Sequence, residues 1–553
     1  MGGCFLLSFI LLLWLSPDSF MMHTAAARCD SAWFFTCGKA WMEGMVPYVD
    51  FADSKGLLLW LIYGLGYLLS PSSYMGVFWM SVASYSVVFH FVWKTSRLFL
   101  GRRESVFVLA MMPLFLFLRP FHGEVRAEDF CYPFIFAGFY FICLVLKCPS
   151  LQVVRIGAFW LGMGMVACLL IKWTTFLAMG GMALLMVGVS LRQRSAVGLL
   201  FGLVGMAVGL LPFGIYFLLT GNFGNFLQEY FLTTFAITGN SPIPTSRMGL
   251  FVILSVCIIV VAYWLRKRDV GGRMYAFVGL VAMLMPKIVL FIGEKTVWVI
   301  QLVHPMPTDI SEKAITDLWT RVYCLVISMT DFSSLSNFTL GNISFAAVYI
   351  GIVLFCRRFK MSYWLLFVFM PFYMLVELWS VYNYYYTIAT PFYLFLVIYE
   401  SKALCEGLVR KLNVKKQMVV AVLIGCVCTM VNIRKGQFFF VRNERIEEKE
   451  RVMREIAKMQ YPKIVWIGMD HGEGLYARSL PGCKYWARQN GATQEMIDER
   501  NHAIRTGKPD FVIVDGANEP DVFDMLKRSG YKICCKYTTQ AGVENWLYAK
   551  LAR

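Results

Sequence analysis

The strongest constraint on this chain is a recurrence. From residue 4 to residue 432, apolar runs of membrane-spanning length follow one another, separated by short polar loops. A bilayer crossing needs about 20 apolar residues, because the hydrocarbon core is about 30 Å thick and a helix rises about 1.5 Å per residue. The composition agrees: 58% of the 553 residues are hydrophobic and 16% are charged, where soluble domains carry about 25% charge. The mean hydropathy is +0.59. One water-soluble core cannot absorb so much apolar surface, so the expected fold class is an all-α polytopic membrane protein.

The spans are predicted at 4–22, 74–93, 105–118, 130–146, 153–171, 175–190, 196–220, 249–265, 274–293, 343–356, 362–381, 385–400 and 417–432, thirteen in all. The first, in MGGCFLLSFILLLWL, lacks a basic n-region and reads as a retained helix rather than a cleaved signal. The apolar run GLLLWLIYGLGYLLS at 56–70 is short, and it is read as an interfacial or re-entrant helix. With these spans, six basic loops fall on one side: 94–103, 147–155, 192–194, 266–273, 357–360 and 402–416. The positive-inside rule makes that side cytoplasmic. The net charge of +17 is thereby placed in short loops. It forms no continuous basic patch with interleaved aromatics, so nucleic acid is not an expected partner. The bilayer is.

The chain divides into a membrane domain at 1–432 and a tail at 433–553 on the outer face. The tail opens with the amphipathic stretch ERIEEKERVMREIAKM (444–459). Strand patterns follow at KIVWIGM (463–469), DFVIVDG (510–516) and YKICCKY (531–537), with helical patterns between them. This alternation predicts a small extracytoplasmic α/β domain with a parallel core. Neither DGANEP nor GMDHGEG makes a phosphate loop. The sixteen cysteines are scattered, without zinc spacing, so no metal ligands are assigned. Cys29 and Cys37 share a loop and could pair.

Candidate chemistry gathers on the outer face. Asp30 follows the first span in RCDSAWFF, and Glu128 and Asp129 precede the fourth in RAEDFCYPF. A carboxylate at a lipid–water boundary is partly desolvated and can serve as a base near neutral pH. Acids at helix starts also favour the helix dipole, and that reading stands beside the first. Lys55, Arg126 and Lys172 lie at the same depth, and Lys287 sits inside the apolar run AMLMPKIVLFIG. An intramembrane lysine marks a functional site. Such cations suit a phosphate held at headgroup level, although Lys55 and Lys172 could also snorkel to the interface. In ELWSVYNYYYTIATPF (377–392), Tyr384 and Tyr385 either anchor the belt or offer a wall on which a sugar ring stacks.

These segments resemble the GT-C superfamily of membrane glycosyltransferases. The resemblance is to its bacterial members grouped with the dolichyl-phosphate-mannose protein mannosyltransferases and the aminoarabinose transferases. Asp30, then GMVPYVDFADSKGLLLW, is similar to their first outer loop; RAED is similar to their second acidic site, and LLIKWTTF to a K-x-T segment. GNFGNFLQEYF (221–231) and YNYYYTIATPF resemble two further outer segments. The resemblance implies a polyprenyl-phosphate-linked sugar donor, a glycan, lipid or protein acceptor, and inverting transfer at the outer face of a bacterial inner membrane. Asp30 would be the base, with Glu128 and Asp129 supplying a second carboxylate. Lys55 would pair with the donor phosphate, and Tyr48 and Asp53 would line the sugar or acceptor. A divalent cation is possible. This sequence departs in having Gly56 after the lysine, where proline is usual, and Asp-Ser where the aminoarabinose transferases carry Asp-Glu. Two other functions use similar substrates: a flippase for lipid-linked saccharide, and a surface-polysaccharide polymerase or ligase built on loop 294–342.

Overall fold

The computed structural model describes residues 2–16, 29–117, 126–193, 195–234, 275, 277–281, 334–363, 365, 390–407, 409–432, 456–467, 478–487, 492–515, 520–538 and 544–550. The predicted spans at 249–265, 274–293 and 362–381 lie wholly or largely outside these residues, as does the amphipathic stretch 444–459 apart from its end.

The membrane part opens with α1 (Gly2–Leu15), α2 (Cys29–Met42), α3 (Leu57–Leu69), α4 (Met75–Arg97), α5 (Arg102–Met111) and α6 (Pro113–Leu116). It continues with α7 (Ala127–Lys147), α8 (Leu151–Ile171), α9 (Trp173–Arg192) and α10 (Val197–Thr220). Helices Ser334–Phe359, Tyr393–Glu406 and Val414–Met430 complete it. Five of the described helices, α4 and α7 to α10, are long and apolar enough to cross a membrane. The chain is a multi-pass membrane protein. The expected span 105–118 is not one helix. Pro113 opens a new four-residue turn after α5, because it has no N–H and its ring excludes the preceding carbonyl.

Small residues let these helices approach closely, as lipid-embedded packing requires. A Cβ on Gly162 would lie 2.1 Å from the Gly202 carbonyl oxygen, and one on Gly205 would lie 2.1 Å from that of Phe159. Only hydrogen fits at these crossings of α8 and α10. The run 56–70, expected to be interfacial, forms the 13-residue α3 and packs back on α2. Gly38 and Gly64 meet there at backbone distance. Cys29 and Cys37 both lie on α2, and Cys37 is a buried free thiol. Eight residues of helix separate their Cα atoms by about 12 Å, beyond the roughly 7 Å that a disulfide spans. The pairing that the sequence left open does not fit this helical spacing.

The basic loops converge at one end. The Lys147 ammonium reaches the Leu98 carbonyl, and Gln193 Nε2 donates to Pro149 O at 2.6 Å. Lys402 pairs with Glu104 at 2.7 Å, and Arg358 pairs with Glu406. The Phe99 ring packs on Phe355 at 4.8 Å.

The C-terminal domain is a five-stranded sheet in the order β2-β1-β3-β5-β4, with β1 Lys463–Ile467, β2 Leu480–Pro481, β3 Phe511–Asp515, β4 Tyr531–Thr538 and β5 Glu544–Lys550. β1 is parallel to β2 and β3, as the strand–helix alternation predicts. The other edge is an antiparallel β4–β5 hairpin set beside β3, so the sheet is mixed. Alternate residues serve two cores, as the pleat dictates. Val465, Ile467, Val512 and Val514 pack with Ile504, Val522 and Leu526 of the domain's own helices. Ile464, Trp466, Phe511 and Ile513 join the core of the membrane part.

Candidate active site

The loop before α3 turns sharply at Tyr48, whose φ of 65° is unusual for a residue with a side chain. Its surroundings hold it there. The ring is fully buried, 4.7 Å from Trp60 and 5.3 Å from Phe226. Its hydroxyl donates to the Lys55 carbonyl at 2.7 Å. Tyr48 has no surface to offer a sugar; its geometry is that of a residue that positions Lys55. Asp53, also buried, accepts from the Ser54 N–H at 2.6 Å.

The half-buried Lys55 ammonium donates to Ser54 Oγ at 3.1 Å and lies 5.6 Å above the Phe34 ring. Gly56 follows because nothing larger fits: a Cβ there would meet the Leu170 carbonyl oxygen at 2.1 Å. Its N–H donates to the Ile171 carbonyl at 3.2 Å. Proline at this position would lose that bond.

Asp30 opens α2 and is half-buried. Its neighbour Ser31 shares a hydrogen bond with Tyr63 of α3 at 3.3 Å. The Tyr63 ring stands 5.5 Å from Phe34 and 5.8 Å from Phe130, and Phe130 directly follows the acidic pair. Phe34, Tyr63 and Phe130 thus form one aromatic cluster that joins α2, α3 and the start of α7, the segments that carry Asp30 and Glu128, with the Lys55 ammonium over one of its rings.

The two acids at the start of α7 are buried and differ in use. Asp129 closes the helix: Oδ2 accepts from the Arg126 N–H at 2.9 Å and Oδ1 from the Tyr85 hydroxyl at 2.8 Å. That is the capping role anticipated for acids at helix starts. Glu128 forms an ion pair with Lys172, the residue at the joint of α8 and α9. The Lys172 ammonium, expected beside a donor phosphate, is engaged by a carboxylate here. Arg126 is half-buried at the N-cap of α7. Lys287, Tyr384 and Tyr385 lie outside the described residues, as does most of loop 294–342. Thr390, from the end of the tyrosine-rich segment, hydrogen-bonds Tyr132 at 2.9 Å.

Sequence reasoning missed three residues. Asn222 donates to the Pro47 carbonyl at 2.9 Å. Glu229, in the π-helical stretch Leu227–Thr233, is buried and pairs with Lys484 of the C-terminal domain at 2.7 Å. The signal for Glu229 was present, since LQEYFL puts one acid in an apolar run. Nothing local marked Lys484. Among the described residues, no three His, Cys, Asp or Glu side chains gather where a metal ion could sit.

No family model and no curated protein matches the chain. Among solved structures it is similar to the crystal structure of ArnT from Cupriavidus metallidurans bound to undecaprenyl phosphate, with 12% identity over 100% of this chain and 97% of that one and a TM-score of 0.45. It is also similar to the Archaeoglobus fulgidus oligosaccharyltransferase in complex with zinc and sulfate, with 12% identity over 99% and 72% and a TM-score of 0.41. Both fall short of the level at which a shared fold follows.

Proposed function

We propose that this chain is a membrane glycosyltransferase of GT-C type. It moves a sugar from a polyprenyl-phosphate-linked donor to an acceptor at the outer face of a bacterial inner membrane, with inversion. The observations that support the reading are the Lys55 ammonium over Phe34, the rings of Phe34, Tyr63 and Phe130 that join the segments carrying Asp30, Lys55 and Glu128, and the Glu128–Lys172 pair. These residues are far apart in the chain and come from the segments that resemble GT-C motifs.

The chemistry follows from their charges. Lys55 faces the arriving phosphate and opposes the negative charge that builds on it as the glycosidic bond breaks. Asp30 takes the proton from the acceptor hydroxyl, which attacks the anomeric carbon from the opposite face. Glu128 keeps Lys172 oriented and leaves the site near neutrality before the donor arrives. Asp129 and Tyr48 hold the helix start and the Lys55 loop.

The test uses purified protein in liposomes with a radiolabelled polyprenyl-phosphate sugar. Asp30→Asn should lose transfer by at least about a hundredfold, within the usual range for a general base, while still binding donor. Lys55→Ala should instead raise the apparent donor KM. Full turnover by Asp30→Asn removes the base assignment, and an unchanged donor KM in Lys55→Ala removes the phosphate assignment.

A further inference from the structure

The loop carrying Lys55 is held by the C-terminal domain as well as by membrane helices. The Ala52 N–H donates to the Lys484 carbonyl at 3.0 Å, three residues before Lys55. The segment 480–487 is itself fixed from two directions. On the domain side, the Trp486 carbonyl accepts from the Trp466 N–H of β1 at 2.7 Å, and the two indoles pack 5.2 Å apart. On the membrane side, Trp486 packs 5.4 Å from Trp33 of α2, three residues after Asp30.

Glu229 closes this arrangement. It is 5% exposed. Lys484 Nζ lies 2.7 Å from its Oε1, and the Tyr485 hydroxyl lies 3.0 and 3.1 Å from its two oxygens. A buried carboxylate strongly favours keeping such partners, because without them its charge is unsolvated. Both partners come from the C-terminal domain: Lys484 itself supplies the carbonyl that holds Ala52, and Tyr485 follows it. The same short segment therefore grips the π-helical stretch with its side chains and the Lys55 loop with its backbone.

We propose that Lys484, assisted by Tyr485, is a positioning residue for sugar transfer: locked on Glu229, it holds the loop at Ala52 and thereby sets the place of Lys55. The C-terminal domain is then part of the catalytic unit and not an appended guide for the acceptor. This inference rests on the glycosyltransferase reading for its consequence, but the anchoring itself can be read without activity.

The experiment places Lys55→Cys in the full-length protein in liposomes. The rate of labelling at residue 55 by an impermeant maleimide is followed by mass spectrometry of that peptide, so native cysteines do not interfere. Adding Lys484→Ala should raise this rate at least fivefold, by roughly the gain expected when an anchored loop opens locally. Lys484→Arg, and the exchange Glu229→Lys with Lys484→Glu, should restore it to within about twofold. In the Lys55 background, Lys484→Ala should raise the donor KM about tenfold or more, the scale of misplacing a contact group, and leave the acceptor KM unchanged. Should Lys484→Ala not fold, Lys484→Gln takes its place with the same reading. Unchanged labelling at residue 55 in the folded variant overturns the proposal. Faster labelling in a protein that transfers no sugar from any polyprenyl-phosphate donor upholds the anchoring and defeats the transferase reading alone.

Discussion

Lys172 and Glu128 show what single residues add to this site. Each is nearly without solvent contact, and each would be costly to bury alone. Removing one partner of such a pair costs about 3–5 kcal/mol, whereas replacing both by apolar groups of similar size can be close to neutral. Lys172→Met should therefore lower the apparent Tm of the detergent-solubilised protein steeply. The double change Lys172→Met with Glu128→Leu should recover most of that loss. Equal losses in the single and double variants would mean that the ion pair is not what holds the α7 and α8 ends together. Both residues were visible in the sequence as charges at the membrane boundary. Their pairing was not, because spacing along the chain says nothing of which helix ends adjoin. The same gap explains Tyr48: its place in the first-loop segment suggested contact with substrate, while its burial and its bond to the Lys55 carbonyl make it a support.

At the scale of elements, residue pattern read α2 as part of an outer loop, and only the family resemblance implied a helix after Asp30. Its sequence, CDSAWFFTCGKAWM, has low amphipathic contrast, and the loop carries enough charge to look solvated. The structure packs it against α3 on one side and against the C-terminal domain on the other, so it is buried around most of its girth. That burial takes in Lys39. Burial lowers the Lys39 ammonium from its usual 10.5 to about 7; the nearby Arg478 pushes the same way and Glu43 opposes. The unfolded chain keeps its proton up to about 10.5. Between about 7 and 10.5 the unfolded state thus binds more protons than the folded state, and stability rises with pH across that window. Below about 7 both states are charged and the full burial cost is present, a few kcal/mol at about 1.4 kcal/mol per unit. The apparent Tm of Lys39→Met, relative to the parent protein, should be higher near pH 6 than near pH 9, where about two decades of the window have been crossed. A difference independent of pH would show that the lysine is not buried in its charged form. The strand β5 and the short β2 were also missed. The first lies beyond the alternating strand–helix pattern, and the second is two residues long, below what periodicity can register.

At the scale of the whole molecule, the membrane-length helices have two distinct ends. The ends of α4, α7 and α9 that carry Arg97, Lys147 and Arg192 gather with the starts of α5 and α8. The opposite ends of α8 and α10 meet the loop of Tyr48 and Lys55, through the Ile171 carbonyl at Gly56 and through Asn222, two residues beyond Thr220, at Pro47. The C-terminal domain sits over that second group through Ala52, Trp33 and Glu229. Loop charge predicts sidedness, and the packing sets the domain and the described basic loops at opposite ends of the helices. Two cysteines test this together. Glu495 is exposed on the domain helix Gln494–Arg505, and Lys415 is exposed at the start of the helix Val414–Met430, in a basic loop. In intact cells, Glu495→Cys should react with an impermeant maleimide and Lys415→Cys should not; after lysis both should react. The reverse pattern would put the basic loops outside. It would also turn the Lys55 loop to the cytoplasm, where a donor displayed on the outer leaflet could never reach it.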